Sequence, residues 1–148
     1  MTTIRAGEPA DVPALLEIEA EFRRAGLAEW AVMDAAWFER KIRNDEILVA
    51  VDDTLVAYLT WTILWRLPWI EFVRVQATRR REGIGTALVR ALEERMRAAD
   101  GYILVSSTTG GEEAPLAWHH AIGFEDGGRI EWGMWPGAPD EVLLYKRL

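Results

Sequence analysis

A chain of 148 residues, half of them hydrophobic and eight of them tryptophan, is long and apolar enough for one folded domain over residues 1–148, which excludes an intrinsically disordered protein. Its net charge of −7, from 24 acidic against 17 basic side chains, disfavours a nucleic-acid partner and favours a cationic small molecule. With no cysteine there is no disulfide framework, no thiolate nucleophile and no Cys-based zinc site, and no metal is expected. The start Met1-Thr2-Thr3-Ile4-Arg5 lacks a signal peptide's apolar core, and the mostly apolar run Leu55 to Trp65 is too short to span a bilayer. A cytoplasmic protein without a membrane partner is therefore expected.

Taken in order, Thr2 to Ala6 reads as a strand, and Gly7-Glu8-Pro9-Ala10-Asp11 starts a helix that runs to about Ala25. Val12, Leu15, Leu16 and Phe22 lie near one face of it, while Glu17, Glu19, Glu21, Arg23 and Arg24 read as a solvated face. Gly26 to Met33 is a loop, and Asp34 can cap a second helix that turns Ala35, Phe38 and Ile42 inward. Glu46 to Val51 and Thr54 to Trp65 form a hairpin about Asp52-Asp53, and Arg66-Leu67-Pro68 turns the chain into a strand over Trp69 to Gln76. A helix from Ile84 ends at Asp100-Gly101, and Tyr102 to Ser106 is a strand parallel to the one before that helix. Ser107 to Gly111 reads as a loop, Glu112 to Ile122 as a short helix, and Phe124 to Trp132 and Val142 to Leu148 as closing strands. The order is β, α, α, β, β, β, α, β, α, β, β, an α/β (α+β) mixed sheet with helices packed on it.

The informative stretch is Arg79-Arg80-Arg81-Glu82-Gly83-Ile84-Gly85-Thr86. Two glycines and three arginines stand where a strand turns into an amphipathic helix, so free backbone N–H groups and the helix dipole can hold an anion with no Cβ in its path. A glycine pair at such a turn is also common for backbone geometry alone. Position 88 is leucine, against a dinucleotide-binding Gly-x-Gly-x-x-Gly, and Gly-Lys-Ser/Thr is missing, against a nucleotide triphosphatase loop.

Here the chain resembles the GCN5-related N-acetyltransferase (GNAT) family, whose acyl-coenzyme A motif runs Arg/Gln-x-x-Gly-x-Gly/Ala. Arg80, Gly83 and Gly85 match it, and Ala117-Trp118-His119-His120-Ala121-Ile122-Gly123-Phe124 resembles the family's Phe-Tyr-x-x-x-Gly-Phe segment. The resemblance implies a mostly antiparallel twisted sheet with about four helices and a split between the fourth and fifth strands, where the pantetheine arm of acetyl-coenzyme A contacts backbone groups of Val73, Arg74 and Val75. It implies that the pyrophosphate rests on the N–H groups of Arg81, Glu82, Gly83, Ile84, Gly85 and Thr86, with Arg80 adding charge. Arg79 or Arg81 is then either a contact for the 3′-phosphate or solvated surface.

The chemistry the resemblance implies is transfer of an acetyl group to a primary amine by direct attack through a tetrahedral intermediate. Glu71, a carboxylate in an apolar strand, is the candidate base; the alternative is a structural carboxylate paired with an arginine or facing solvent. The Val75 N–H is the candidate oxyanion donor. His119 stands where many members carry a tyrosine that protonates the departing sulfur, and it either takes that role or leaves it to water. Trp30 and Trp65, with Glu29 or Asp34 nearby, are candidate acceptor contacts suited to a cationic amine, or simply packing residues. The late loop Trp132 to Pro136 is a further place for specificity. The acceptor is a small-molecule amine, alternatively a protein N-terminus or lysine; a non-catalytic acyl-coenzyme A sensor is the third reading. The aromatic hairpin Trp65 to Trp69 is a candidate homodimer surface.

Overall fold

The computed structural model describes residues 1–133 and 135–148; Met134, inside the late loop expected to carry specificity, lies outside the described residues. The strands are β1 (Thr3–Ala6), β2 (Ile47–Val51), β3 (Leu55–Leu64), β4 (Leu67–Val75), β5 (Ile103–Thr109), β6 (Glu125–Ile130) and β7 (Glu141–Arg147). The α-helices are α1 (Val12–Arg24), α2 (Ala35–Arg43), α3 (Ile84–Ala98) and α4 (Glu113–Ala121). This is the expected order. The seven strands form one sheet in the order β1-β2-β3-β4-β5-β7-β6, and β4 runs parallel to β5, with Trp69 opposite Val105.

By internal contacts the chain divides into two compact units, Met1–Trp61 with Phe72–Leu92, and Thr62–Glu71 with Glu93–Leu148. Both β4 and α3 begin in one unit and end in the other.

In the first unit, α1 and α2 cover the β2–β3 hairpin. Leu15, Ile18, Phe38, Ile47, Val49, Leu55 and Tyr58 form its core, with Phe72 and Trp37 packed on the margin. Each such apolar side chain taken out of water contributes about 1.5–3 kcal/mol before entropy is subtracted. Helix α2 starts where Asp34 accepts the Trp37 N–H at 2.8 Å, the expected cap.

In the second unit, β5 pairs antiparallel with β7 from Ile103↔Arg147 to Thr109↔Glu141. The Ser107–Thr109 stretch, expected to be loop, is therefore strand, because a full-length partner overrides the turn preference of a Ser/Thr run. The turn from β3 into β4 is also tighter than expected. Trp65 and Arg66 are its two central residues and both have positive φ, 53° and 65°, the pattern of a two-residue turn that usually selects Asn-Gly. Ile63, Leu64 and Trp65 at this tip are exposed, and Trp65 meets Trp69 edge to face with centroids 5.8 Å apart. Among the described residues, no helix is long and apolar enough to cross a membrane.

Candidate functional site

The turn between β4 and α3 belongs to the first unit and is built in three steps. Gln76 donates its N–H to the Val56 carbonyl at 2.9 Å, and one 3-10 turn over Ala77–Arg79 follows. Arg81 and Gly83 then take positive φ, 66° and 79°, which swings the chain into α3. The Ala87 N–H reaches the Gly83 carbonyl at 2.9 Å, so the N–H groups of Ile84, Gly85 and Thr86 fall in the helix's first turn, where no carbonyl of the helix itself can accept them. A Cβ added to Gly83 would meet nothing within 4 Å. The glycine is thus required by its backbone angle, and the space over the turn is open to a ligand.

The arginines of this turn differ. Arg79 donates to Glu82 at 2.9 Å and to Asp52 at 3.1 Å; these bonds raise its pKa, and the bond from Arg79 holds the Asp52 carboxyl below its ordinary range. Arg79 is therefore spoken for inside the turn. Arg80 donates from Nε to the Val75 carbonyl at 3.3 Å and lies over the Phe22 ring at 5.2 Å, with a guanidinium nitrogen 4.0 Å from Glu21. It stays half exposed beside the glycines, and Arg81 and Glu82 are exposed.

Along β4, Val73 and Val75 are half-buried, whereas Arg74 is only 6% exposed. Its guanidinium donates to Glu19 of α1 at 2.5 Å and to the Ala31 carbonyl at 3.0 Å, and it lies 4.4 Å from the Phe72 ring. Glu19 is 1% exposed and also accepts the Tyr58 hydroxyl and the Met33 N–H. Burial keeps the Tyr58 pKa well above that of a free phenol, so the hydroxyl is a donor. Glu19 thus departs from the solvated face expected of it: a carboxylate can leave water when each lone pair finds a donor and a counterion comes with it. The signal was available, since Glu19 follows Leu15 by four residues and precedes Phe22 by three, on the apolar stripe. Lys41 was missed for the same reason; it is 4% exposed and donates to the Trp61 carbonyl at 2.7 Å and to Glu46 at 3.0 Å.

In the second unit, Glu71 is half-buried in β4 with one carboxylate oxygen shielded from solvent. His119 is 6% exposed on α4. Its Nδ1 lies 2.7 Å from the Pro115 carbonyl, and its Nε2 2.8 Å from the Ser106 hydroxyl of β5. A carbonyl can only accept, so Nδ1 carries the proton and Nε2 accepts from Ser106. Burial lowers the His119 pKa, and the Pro115 carbonyl only partly offsets this. The ring is neutral at pH 7. Its neighbour His120 is exposed and meets Asp126 at 2.7 Å. Of the two tryptophans expected at the acceptor, Trp30 is 82% exposed in the first unit, and Trp65 is 78% exposed in the second.

The acetyltransferase (GNAT) family model matches residues 12–124, a span that contains both motifs. Over 154 aligned positions the chain is 29% identical to an L-methionine sulfoximine/L-methionine sulfone acetyltransferase of Pseudomonas aeruginosa, covering 90% of this chain and 88% of that protein. A ribosomal-protein-alanine N-acetyltransferase from Brucella melitensis superposes with a TM-score of 0.79 at 27% identity, covering 99% of both chains. The fold is also that of a Salmonella typhimurium protein solved with its cofactor acetyl-CoA, at a TM-score of 0.77 and 21% identity over 100% of this chain and 94% of that one. A family match over most of the length, on a fold whose fourth strand turns through Arg80, Gly83 and Gly85 into α3, means that the chain belongs to the acetyltransferase (GNAT) family and is an acyl-CoA-dependent N-acetyltransferase.

Proposed function

We propose that residues 1–148 act as one N-acetyltransferase domain that moves the acetyl group of acetyl-CoA to the primary amine of a small molecule. The observation that carries this reading is the turn at Gly83, where a positive φ and open space beyond the missing Cβ stand at the start of α3. A pyrophosphate fits such a turn, with Arg80 alongside. The small-molecule acceptor is supported by the likeness to the methionine sulfoximine acetyltransferase.

Each residue then has a part. Backbone groups of Val73, Arg74 and Val75 bind the donor's arm, and the Val75 N–H stabilises the oxyanion of the tetrahedral intermediate. Glu71 takes the proton from the attacking amine, directly or through water. His119 is a support for α4 in this reading, since a neutral ring that holds its proton on the Pro115 carbonyl has none to give at Nε2; the departing sulfur takes its proton from water. Trp30 receives the acceptor, while Trp65 already packs against Trp69.

A protein N-terminus as acceptor is the second reading, favoured by the likeness to the Brucella enzyme. Thiol release measured over a panel of small amines, amino acid derivatives and N-terminal peptides decides between them: turnover confined to peptides would overturn the small-molecule acceptor. Glu71→Gln is expected to lower kcat by about a hundredfold and to flatten the acidic limb of the pH–rate profile, with acetyl-CoA affinity by calorimetry unchanged. A profile identical to wild type would remove Glu71 from the base role.

A further inference from the structure

The segment between α1 and α2 contains one short 3-10 turn, Glu29–Ala31, with the exposed Trp30 at its centre. An indole left in water is unfavourable, and a loose loop would fold it back onto apolar surface. This loop is not loose. Arg23 of α1 grips both carboxylate oxygens of Glu29 at 3.1 Å, Arg74 holds the Ala31 carbonyl at 3.0 Å, and Glu19 holds the Met33 N–H at 2.8 Å. The last two bonds come from a single ion pair whose side chains are 7% and 2% exposed.

Buried ion pairs are poor sources of stability, because desolvation cancels most of the attraction. What Glu19 and Arg74 supply instead is direction. Arg74 stands between Val73 and Val75, so the side chain of one donor-strand residue is bonded straight to the backbone of the loop that carries Trp30. We propose that Glu19 and Arg74 are positioning residues for the acceptor: they fix the Trp30 loop against the donor strand, so that an amine-bearing molecule meets an indole face already in place. The proposal rests on the reading of β4 as the donor strand. A cationic amine is the ligand chemistry that an exposed indole face recognises, and a wall fixed in advance spares the ordering cost on binding.

The test uses Arg74→Lys, which keeps the ion pair but gives up the fork that reaches Ala31, and the double change Glu19→Leu with Arg74→Met, which removes both charges and leaves no buried ion unpaired. Hydrogen exchange is read at the Met33 amide and along β3, and kinetics with the acceptor that the amine panel returns. In the double variant, exchange at Met33 is expected to quicken and the acceptor KM to rise by about tenfold, while exchange at the β3 amides holds; Arg74→Lys falls between. Trp30→Ala raises the same KM in wild type and adds little in the double variant. A purely structural role would lower the melting temperature without moving the acceptor KM. Unchanged exchange at Met33, or faster exchange with an unchanged KM, overturns the positioning role and leaves the proposed function standing; a wild-type protein that acetylates no amine overturns both. If the double variant does not fold, Arg74→Lys and Tyr58→Phe, which removes one donor to Glu19, give the same readouts.

Discussion

In the first unit a carboxylate is buried together with its counterion: Glu19 has Arg74 against it and takes further bonds from Tyr58 and Met33. In the second, a titratable ring is buried with neutral partners: His119 sits between the Ser106 hydroxyl and the Pro115 carbonyl. The first cluster keeps its charges because they come as a pair, and the second stays uncharged because no counterion accompanies it. The two clusters must therefore fail differently. Taking one member from the ion pair strands a charge out of water, whereas taking one member from the neutral pair strands only a dipole.

The largest effect is expected from Arg74→Ala, which leaves the buried Glu19 without its counterion and should cost about 3–5 kcal/mol in denaturant unfolding. A loss below 1 kcal/mol would mean that water reaches Glu19 in the variant and that the pair is less secluded than its burial indicates.

His119→Gln is expected to cost less, about 1–3 kcal/mol at pH 7.5, and it carries a pH signature. The folded pKa of His119 lies below its ordinary 6.5, so between the two values the unfolded chain binds more protons than the folded one. His119 thus contributes its full stability above pH 6.5 and loses it as pH falls from there through the folded pKa. Unfolding curves taken from pH 7.5 downward should show this decline in wild type and lack it in His119→Gln. Asp11 declines at more acid pH, because the bond from Arg5 lowers its pKa from the ordinary 3.8; its contribution is present above that value and is lost as pH falls through the lower folded one. A wild-type curve that stays flat as pH falls below 6.5 would break the contrast between the two clusters.

The smallest effect is expected at Thr60, fully buried in β3 with a hydroxyl that finds no hydrogen-bond partner among the described residues. Thr60→Val removes that hydroxyl at nearly constant shape and should stabilise the first unit by about 1 kcal/mol, read as a higher melting temperature. A loss of similar size would reveal a partner for the hydroxyl.

Much of this protein was legible along the chain. Helices α1, α2 and α3 follow from apolar positions three and four apart, the α2 cap from Asp34, and the turn into α3 from Arg80, Gly83 and Gly85. These are local relations, decided within a few residues by backbone geometry and by which face meets water. The strand status of Ser107–Thr109 was not local; it depends on β7, more than thirty positions away. The partners of Glu19 and His119 were likewise out of reach. A charge on an apolar stripe signals that some partner must exist, but Tyr58 and Arg74 lie 39 and 55 positions from Glu19, and only the packing of α1 across β3 and β4 brings them to it. The sequence by itself determined the element order, the family and the glycine-bearing turn between β4 and α3. Tertiary structure decided which charges are buried, which tautomer His119 holds, and that the loop carrying Trp30 is tied to β4, because long-range pairing and desolvation have no counterpart in residue spacing.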